Sequence, residues 1–268
     1  LVQPGSDFAQ AISLDIDIAA PSLKALAEIS EASRKLGKKA RVHLEVDTGM
    51  TRGGFLSEWS QIDGEHVQEI EIVGIFSHFA RADEPGEPQN EEQLHRFTEM
   101  TETLRSFGFT NVIRHLSNSA ATLKHSAAAF DMVRAGIAMY GLSPDVTTLG
   151  SSATLALRPA MQLRAALYLV KDVAAGIPVG YGATESTSRN TRLGVVTMGY
   201  AGVSMDQFVV DLGPDSKAQS GDWVVVFGNG SHGEYTADDW GAASGSINYE
   251  IVTRIGPRVP RIYSAHIY

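Results

Sequence analysis

From Leu14 to about Leu142 the apolar positions switch repeatedly between a two-residue and a helical period. The stretch Leu14-Asp15-Ile16-Asp17-Ile18-Ala19 alternates as a strand does. Pro21-Ser22-Leu23 then opens a helix that runs through Leu36 to a stop at Gly37. His43 to Gly53 reads as a half-buried strand entering a tight glycine turn that delivers Arg52. Leu44 and Val46 point one way, and His43, Glu45 and Asp47 the other. Ile70 to His78, Val112 to Asn118 and Met132 to Tyr140 repeat the theme of a strand with polar residues gathered at its end. Between them, Glu91 to Phe107 sets Leu94, Phe97, Met100 and Leu104 on one helical face before Gly108. Alternating β and α segments with short connections predict a parallel sheet covered by helices. Polar groups at strand ends are how α/β barrels build their sites.

The pattern changes after Ser143 to Thr154 (SPDVTTLGSSAT), which reads as a linker. Beyond it, Met161 to Val173, Leu193 to Met198, Phe208 to Leu212 and Trp223 to Phe227 are short strands parted by glycine-rich turns. Only Thr236 to Ala243 looks helical there. The expected division is a (β/α)8-type barrel domain over residues 1–148 and a mainly β domain over residues 155–268. Five strand-helix units and a stub at Leu1-Val2 fall short of the eight strands of a closed barrel, so further βα units before Leu1 are expected.

Composition narrows the function classes. A net charge of -9 argues against nucleic acid or an anionic membrane surface as partner, since both select clustered Lys and Arg. The absence of cysteine removes disulfide and thiol chemistry. No apolar run approaches a membrane span, and Leu1 begins no signal peptide, so a soluble cytoplasmic protein is the expectation.

The chemistry-bearing segments carry a resemblance. Asp47 to Arg52 (DTGMTR), Ser77 to Ala80, His115 to Ala120 (HLSNSA), Val133 to Ile137 (VRAGI), Gly180 to Thr184, Met198 to Tyr200, Ser204 to Gln207 and Ile247 to Glu250 resemble alanine racemase, in family order along nearly the whole chain. The resemblance implies a barrel plus β-domain enzyme that uses pyridoxal 5'-phosphate and acts as a homodimer with shared sites. Its substrate would be alanine, its product D-alanine for peptidoglycan, and it calls for no metal. Tyr181 and a lysine would act as bases on opposite faces of the substrate. That lysine belongs to the expected N-terminal units, and none of the seven lysines present sits in a matching context. The family also carries an insertion near Ala201 that is not seen here.

Further roles follow by the same resemblance. Arg52 and His78 would supply the positive charge that favours a Tyr181 phenolate. Arg134 would face the pyridine nitrogen, donating a hydrogen bond rather than a proton, and His115 would orient it. Asn118, Ser119, the backbone of Gly136 and Ile137, and the Tyr249 hydroxyl would hold the cofactor, chiefly its phosphate. Arg52, Met205, Asp206 and Tyr200 would meet the substrate or line its entrance. Glu45, two residues before Asp47 on the same strand face, stands where many relatives have a carbamylated lysine and is expected to orient Arg52 through a charge-assisted hydrogen bond, direct or through a bridging water. Competing readings are a broad-specificity amino-acid racemase of the same fold, a decarboxylase, or a cofactor-binding fragment without turnover.

Overall fold

The computed structural model describes residues 3, 5–62, 67–198 and 206–264. They fall into two compact units, one of Leu1–Met139 with Ser143–Leu155 and one of Tyr140–Leu142 with Ala156–Tyr268. In the first, α1 (Phe8–Ser13), β1 (Ile18–Ala20), α2 (Leu23–Leu36), β2 (Ala40–Glu45), β3 (Ile70–Phe76), α3 (Pro88–Ser106), β4 (Ile113–His115) and α4 (Ser119–Lys124) follow in order. The strands form one parallel sheet in the order β1-β2-β3-β4. Parallel neighbours need a long crossover, which α2 supplies between β1 and β2 and α3 between β3 and β4. The Ser22 hydroxyl accepts from the Ala25 N–H at 3.3 Å to cap α2, and Gly37 ends the helix at φ 62°. Leu26 and Ile29 of α2 and Phe97 and Leu104 of α3 are buried in one core with Val42, Leu44, Ile72 and Ile75 of the sheet.

The two faces of β2 carry different chemistry. Val42 and Leu44 join the apolar core, whereas the two-residue period puts Arg41, His43 and Glu45 on the other face. His43 and Glu45 are buried as well, so β2 is covered on both sides rather than half exposed, as strands of parallel sheets are.

Three expectations are corrected here. Leu14 to Ala19 is not one strand: Leu14 is the C-cap of α1, Asp15 turns the chain at φ 56°, and the strand begins at Ile18. Met132 to Tyr140 is not a strand either. Arg134 N–H bonds the Ser117 carbonyl at 2.9 Å, and Ile137–Tyr140 close a 3-10 turn. The stretch read as a linker packs on the first unit, with Ser143, Leu149 and Ser152 buried. Its hydroxyls satisfy its own backbone: Ser143 N–H donates to Ser152 Oγ at 2.9 Å and Ser143 Oγ to the Gly150 carbonyl at 2.7 Å. The stub at Leu1-Val2 lies outside the described residues.

The second unit is mainly β. Its strands are β5 (Leu163–Val173), β6 (Pro178–Val179), β7 (Glu185–Ser186), β8 (Thr191–Val196), β9 (Phe208–Asp211) and β10 (Trp223–Phe227). An antiparallel sheet runs β10-β5-β8-β9, and β6 pairs with β7. Ala165, Leu167, Val196 and Val226 form its core, with Trp240 of α5 (Ala237–Ala243) packed on them and donating to the Val226 carbonyl at 2.7 Å. A further helix, α6 (Asn248–Thr253), corrects the expectation of a single one. It has no side-chain N-cap and includes the β-branched Ile251, Val252 and Thr253, which hid it from a pattern reading. The fold class is therefore an α/β barrel-type parallel layer followed by a mainly β unit.

Candidate active site

The polar face of the parallel sheet converges on Arg134. Its Nη1 donates to His115 Nδ1 at 2.6 Å and to the His115 carbonyl at 2.9 Å. Its Nη2 donates to the Ser77 carbonyl at 2.5 Å, the Leu116 carbonyl at 3.3 Å and His78 Nδ1 at 3.2 Å. These acceptors lie at the carbonyl ends of β3 and β4, and the guanidinium carbon stands 5.2 Å over the Phe76 ring. With both terminal nitrogens committed, the Nε–H is left without a partner among the described residues. Burial brings the Arg134 pKa down to about 10, with the Glu45 charge opposing, so the group stays cationic at neutral pH.

The two imidazoles beside it are neutral. Burial first, then the Arg134 charge, pushes His115 down to about 3 and His78 down to about 4. The positive charge expected of His78 is therefore absent at neutral pH. Its Nδ1 faces the donating Arg134, which leaves the proton on Nε2.

Arg52 rides on a closed loop after β2. Asp47 Oδ1 accepts from the N–H groups of Gly49, Met50 and Thr51 at 2.8, 3.1 and 3.1 Å. The chain then returns to the strand, Phe55 N–H bonding the Glu45 carbonyl at 2.8 Å and Asp47 N–H the Phe55 carbonyl at 2.9 Å. Gly54 permits this closure, because a Cβ there would lie 2.7 Å from Asp47 N. Arg52 is exposed, while the Glu45 carboxylate is buried beside Gly53. Burial raises the Glu45 pKa and the Arg52 charge opposes it. Among the described residues no direct hydrogen bond or ion pair joins Glu45 to Arg52, which corrects the expected direct bond: Arg52 is exposed while Glu45 is buried, and the two interact through charge.

Sequence reasoning missed the residue that ties these loops together. Gln93 of α3 is wholly buried; its Nε2 donates to Thr48 Oγ1 at 3.1 Å and to the His78 carbonyl at 2.9 Å. Its Oε1 accepts from Ala80 N–H at 2.9 Å, and Gln89 Nε2 adds a bond to the Gly49 carbonyl at 3.0 Å. The signal was available: position 93 extends the Phe97 and Leu104 stripe back by one turn, and a polar residue at an apolar position asks for partners.

The structure brings the Ser119 side chain to the Gly136 turn. Ser119 Oγ accepts from Gly136 N–H at 2.8 Å and Ala138 N–H at 3.3 Å. Asn118 is committed as the cap of α4, accepting from Ala121 N–H at 3.0 Å. In the second unit, Tyr181 sits in a 3-10 turn between β6 and β7, flanked by Gly180 and Gly182 at φ 72° and 76°, and is 83% exposed. Tyr249 lies on α6, and Asp206 is exposed, accepting from Arg258 Nη1 at 3.3 Å. Tyr200 and Met205 lie outside the described residues.

The chain is similar to known proteins along nearly its whole length. The family described as alanine racemase, N-terminal domain, matches residues 1–144, and alanine racemase, C-terminal domain, matches residues 160–202 and 201–263. An alanine racemase of Frankia casuarinae is 43% identical over 98% of this chain and 76% of its own length, and one of Streptomyces coelicolor 42% identical over 97% and 74%. Among solved structures, alanine racemase from D-cycloserine producing Streptomyces lavendulae has a TM-score of 0.88 at 41% identity, covering 100% of this chain and 77% of that one. An alanine racemase from Bartonella henselae, with covalently bound pyridoxal phosphate, has a TM-score of 0.79 at 26% identity over 98% and 77%.

Proposed function

The chain belongs to the alanine racemase family, and on that premise we propose that it interconverts L- and D-alanine with pyridoxal phosphate held at the strand ends of the first unit. The residues present fit that cofactor. The spare Nε–H of Arg134 suits a ring nitrogen, and the Ser119 hydroxyl with the Gly136 and Ile137 backbone suits a phosphate, to which the family resemblance would add the Tyr249 hydroxyl. Bound there, the cofactor supplies the electron sink that makes an amino acid's α-proton removable.

Residues present here would do part of the rest, the base on the other substrate face being the lysine that no lysine present matches. Arg134 keeps its proton at pH 7 and would donate a hydrogen bond to a ring nitrogen facing it, leaving that nitrogen unprotonated and so restraining side reactions such as transamination. Asn118 supports the loop as the cap of α4. Tyr181 takes or returns the α-proton on one face of the substrate, from the neighbouring subunit of a homodimer, a role that its exposure on a hairpin tip favours. With His78 neutral, Arg52 is the cation left to stabilise the Tyr181 phenolate and to meet the substrate carboxylate. Met205, Asp206 and Tyr200 would complete the substrate side. No described helix is long and apolar enough to cross a membrane.

The observation that carries this reading is Arg134, pinned through both terminal nitrogens to strand-end acceptors with one donor left over. The test is D-alanine formation from L-alanine by the purified protein, with and without added pyridoxal phosphate. Cofactor-dependent formation that Arg134→Ala strongly reduces is expected. No D-alanine at saturating cofactor would overturn it.

A further inference from the structure

Beneath Arg134 the polar face of the sheet holds a second histidine. His43 of β2 lies with its Nδ1 2.8 Å from Nε2 of His115, and its own Nε2 is 3.4 Å from Oδ2 of Asp17, just before β1. Asp17 in turn accepts from Arg41 Nε at 2.6 Å and Nη2 at 3.3 Å. The sheet makes room for this arrangement. His43 is paired with Gly74 of β3, and a Cβ at Gly74 would stand 2.0 Å from His43 Nδ1.

The protons in this column can be placed by elimination. A guanidinium has no acceptor, so the 2.6 Å contact makes His115 Nδ1 the acceptor. His115 is neutral, so its proton is on Nε2 and is donated to His43. That makes His43 Nδ1 an acceptor in turn. Burial also lowers the His43 pKa, and a neutral His43 must carry its proton on Nε2, toward the Asp17 carboxylate. Every group therefore has one role, and all donors point the same way.

We propose that Asp17 and His43 are positioning residues for the reaction: with His115 they form a one-way hydrogen-bond column, Arg134 to His115 to His43 to Asp17, that fixes both ring tautomers and so the aim of the Arg134 guanidinium. The proposal rests on the reading that Arg134 faces the cofactor ring. It adds a span across the sheet, from the carbonyl ends of the strands to a carboxylate anchored by Arg41. A His115 ring that lost this partner could flip and present N–H to the guanidinium, a donor against a donor.

Two measurements test it. In protein labelled with 15N-imidazole and prepared without cofactor, His43 and His115 should both show a proton on Nε2 and none on Nδ1 at pH 7. An Nδ1–H form of either ring would overturn the column without reference to turnover, so its failure is distinguishable from failure of the racemase reading. Steady-state kinetics supply the second arm. His43→Phe should lower kcat about tenfold with KM for alanine little changed, since a misaimed guanidinium spoils alignment rather than substrate contact. Gly74→Ala, which displaces the His43 ring and removes no polar group, should do the same, and so should Asp17→Ala, which leaves His43 Nε2 without its acceptor. Wild-type kcat in a folded His43→Phe variant would reduce the column to scaffolding and overturn the positioning role.

Discussion

The Gln93 side chain donates to the His78 carbonyl at 2.9 Å while accepting the Ala80 N–H at 2.9 Å, so one buried amide closes the turn after β3 from both sides. The same amide reaches Thr48 Oγ1, joining that turn to the loop that carries Arg52. Gln93→Leu leaves these groups without their buried partner and is expected to cost about 2–4 kcal/mol, seen as a lower urea midpoint. Racemisation should fall with it because both loops loosen. A variant of unchanged stability would show that water replaces the amide.

Acid should destabilise the first unit through its imidazoles. His115 and His78 have folded-state pKa values of about 3 and about 4, below the ordinary value of 6.5. Between 6.5 and those values the unfolded chain binds more protons, so their stabilising effect is intact above pH 6.5 and is lost as pH falls toward 3. The loss is on the order of a few kcal/mol. Urea midpoints measured from pH 7 to pH 4 should decline, and less steeply in His78→Gln. Equal slopes would mean His78 titrates normally in the folded protein.

How much of this could be read from the chain depended on whether the signal was local. The helix α2 was legible because Ser22 and Gly37 state its ends in its own sequence. The two faces of β2 were legible for the same reason, although the burial of its polar face depends on neighbours that period alone does not show. The joining of Ser119 to the Gly136 turn came through the motifs. What was missed depends on tertiary partners. Met132 to Tyr140 has strand-like composition, yet Arg134 fastens the backbone to Ser117 and the side chain to two strand ends. Ser143 to Thr154 has linker composition, yet its hydroxyls bond its own backbone and Leu149 anchors it in the core. Neutral His78 and the Gln93 clamp are likewise products of burial.

Glu45 is expected to act on Arg52 through charge. Glu45→Gln keeps the shape of the side chain and removes the charge, so racemisation should slow by about five- to tenfold while the thermal midpoint changes little. Full activity in that variant would assign Glu45 to the field around Arg134 alone.

Tyr181→Phe separates the two faces of the substrate. The variant should bind cofactor with unaltered absorbance but exchange the α-proton of one alanine enantiomer with solvent far more slowly than the other's. Equal slowing of both would remove Tyr181 from the role of face-specific base.

The Ser119 hydroxyl already occupies the amides of the Gly136 turn, at 2.8 Å and 3.3 Å. An anion arriving there does not fill an empty ring of donors; it swaps with an acceptor that is covalently tethered and never diffuses away. Affinity is then a difference between two acceptors competing for the same N–H groups. A Ser119→Ala chain would lose a contact to the anion and also the internal competitor, and the two losses oppose each other. Measured retention of the anion should therefore shrink less than the deletion of a hydrogen bond suggests, while the vacant turn, with no resident acceptor, becomes the looser of the two.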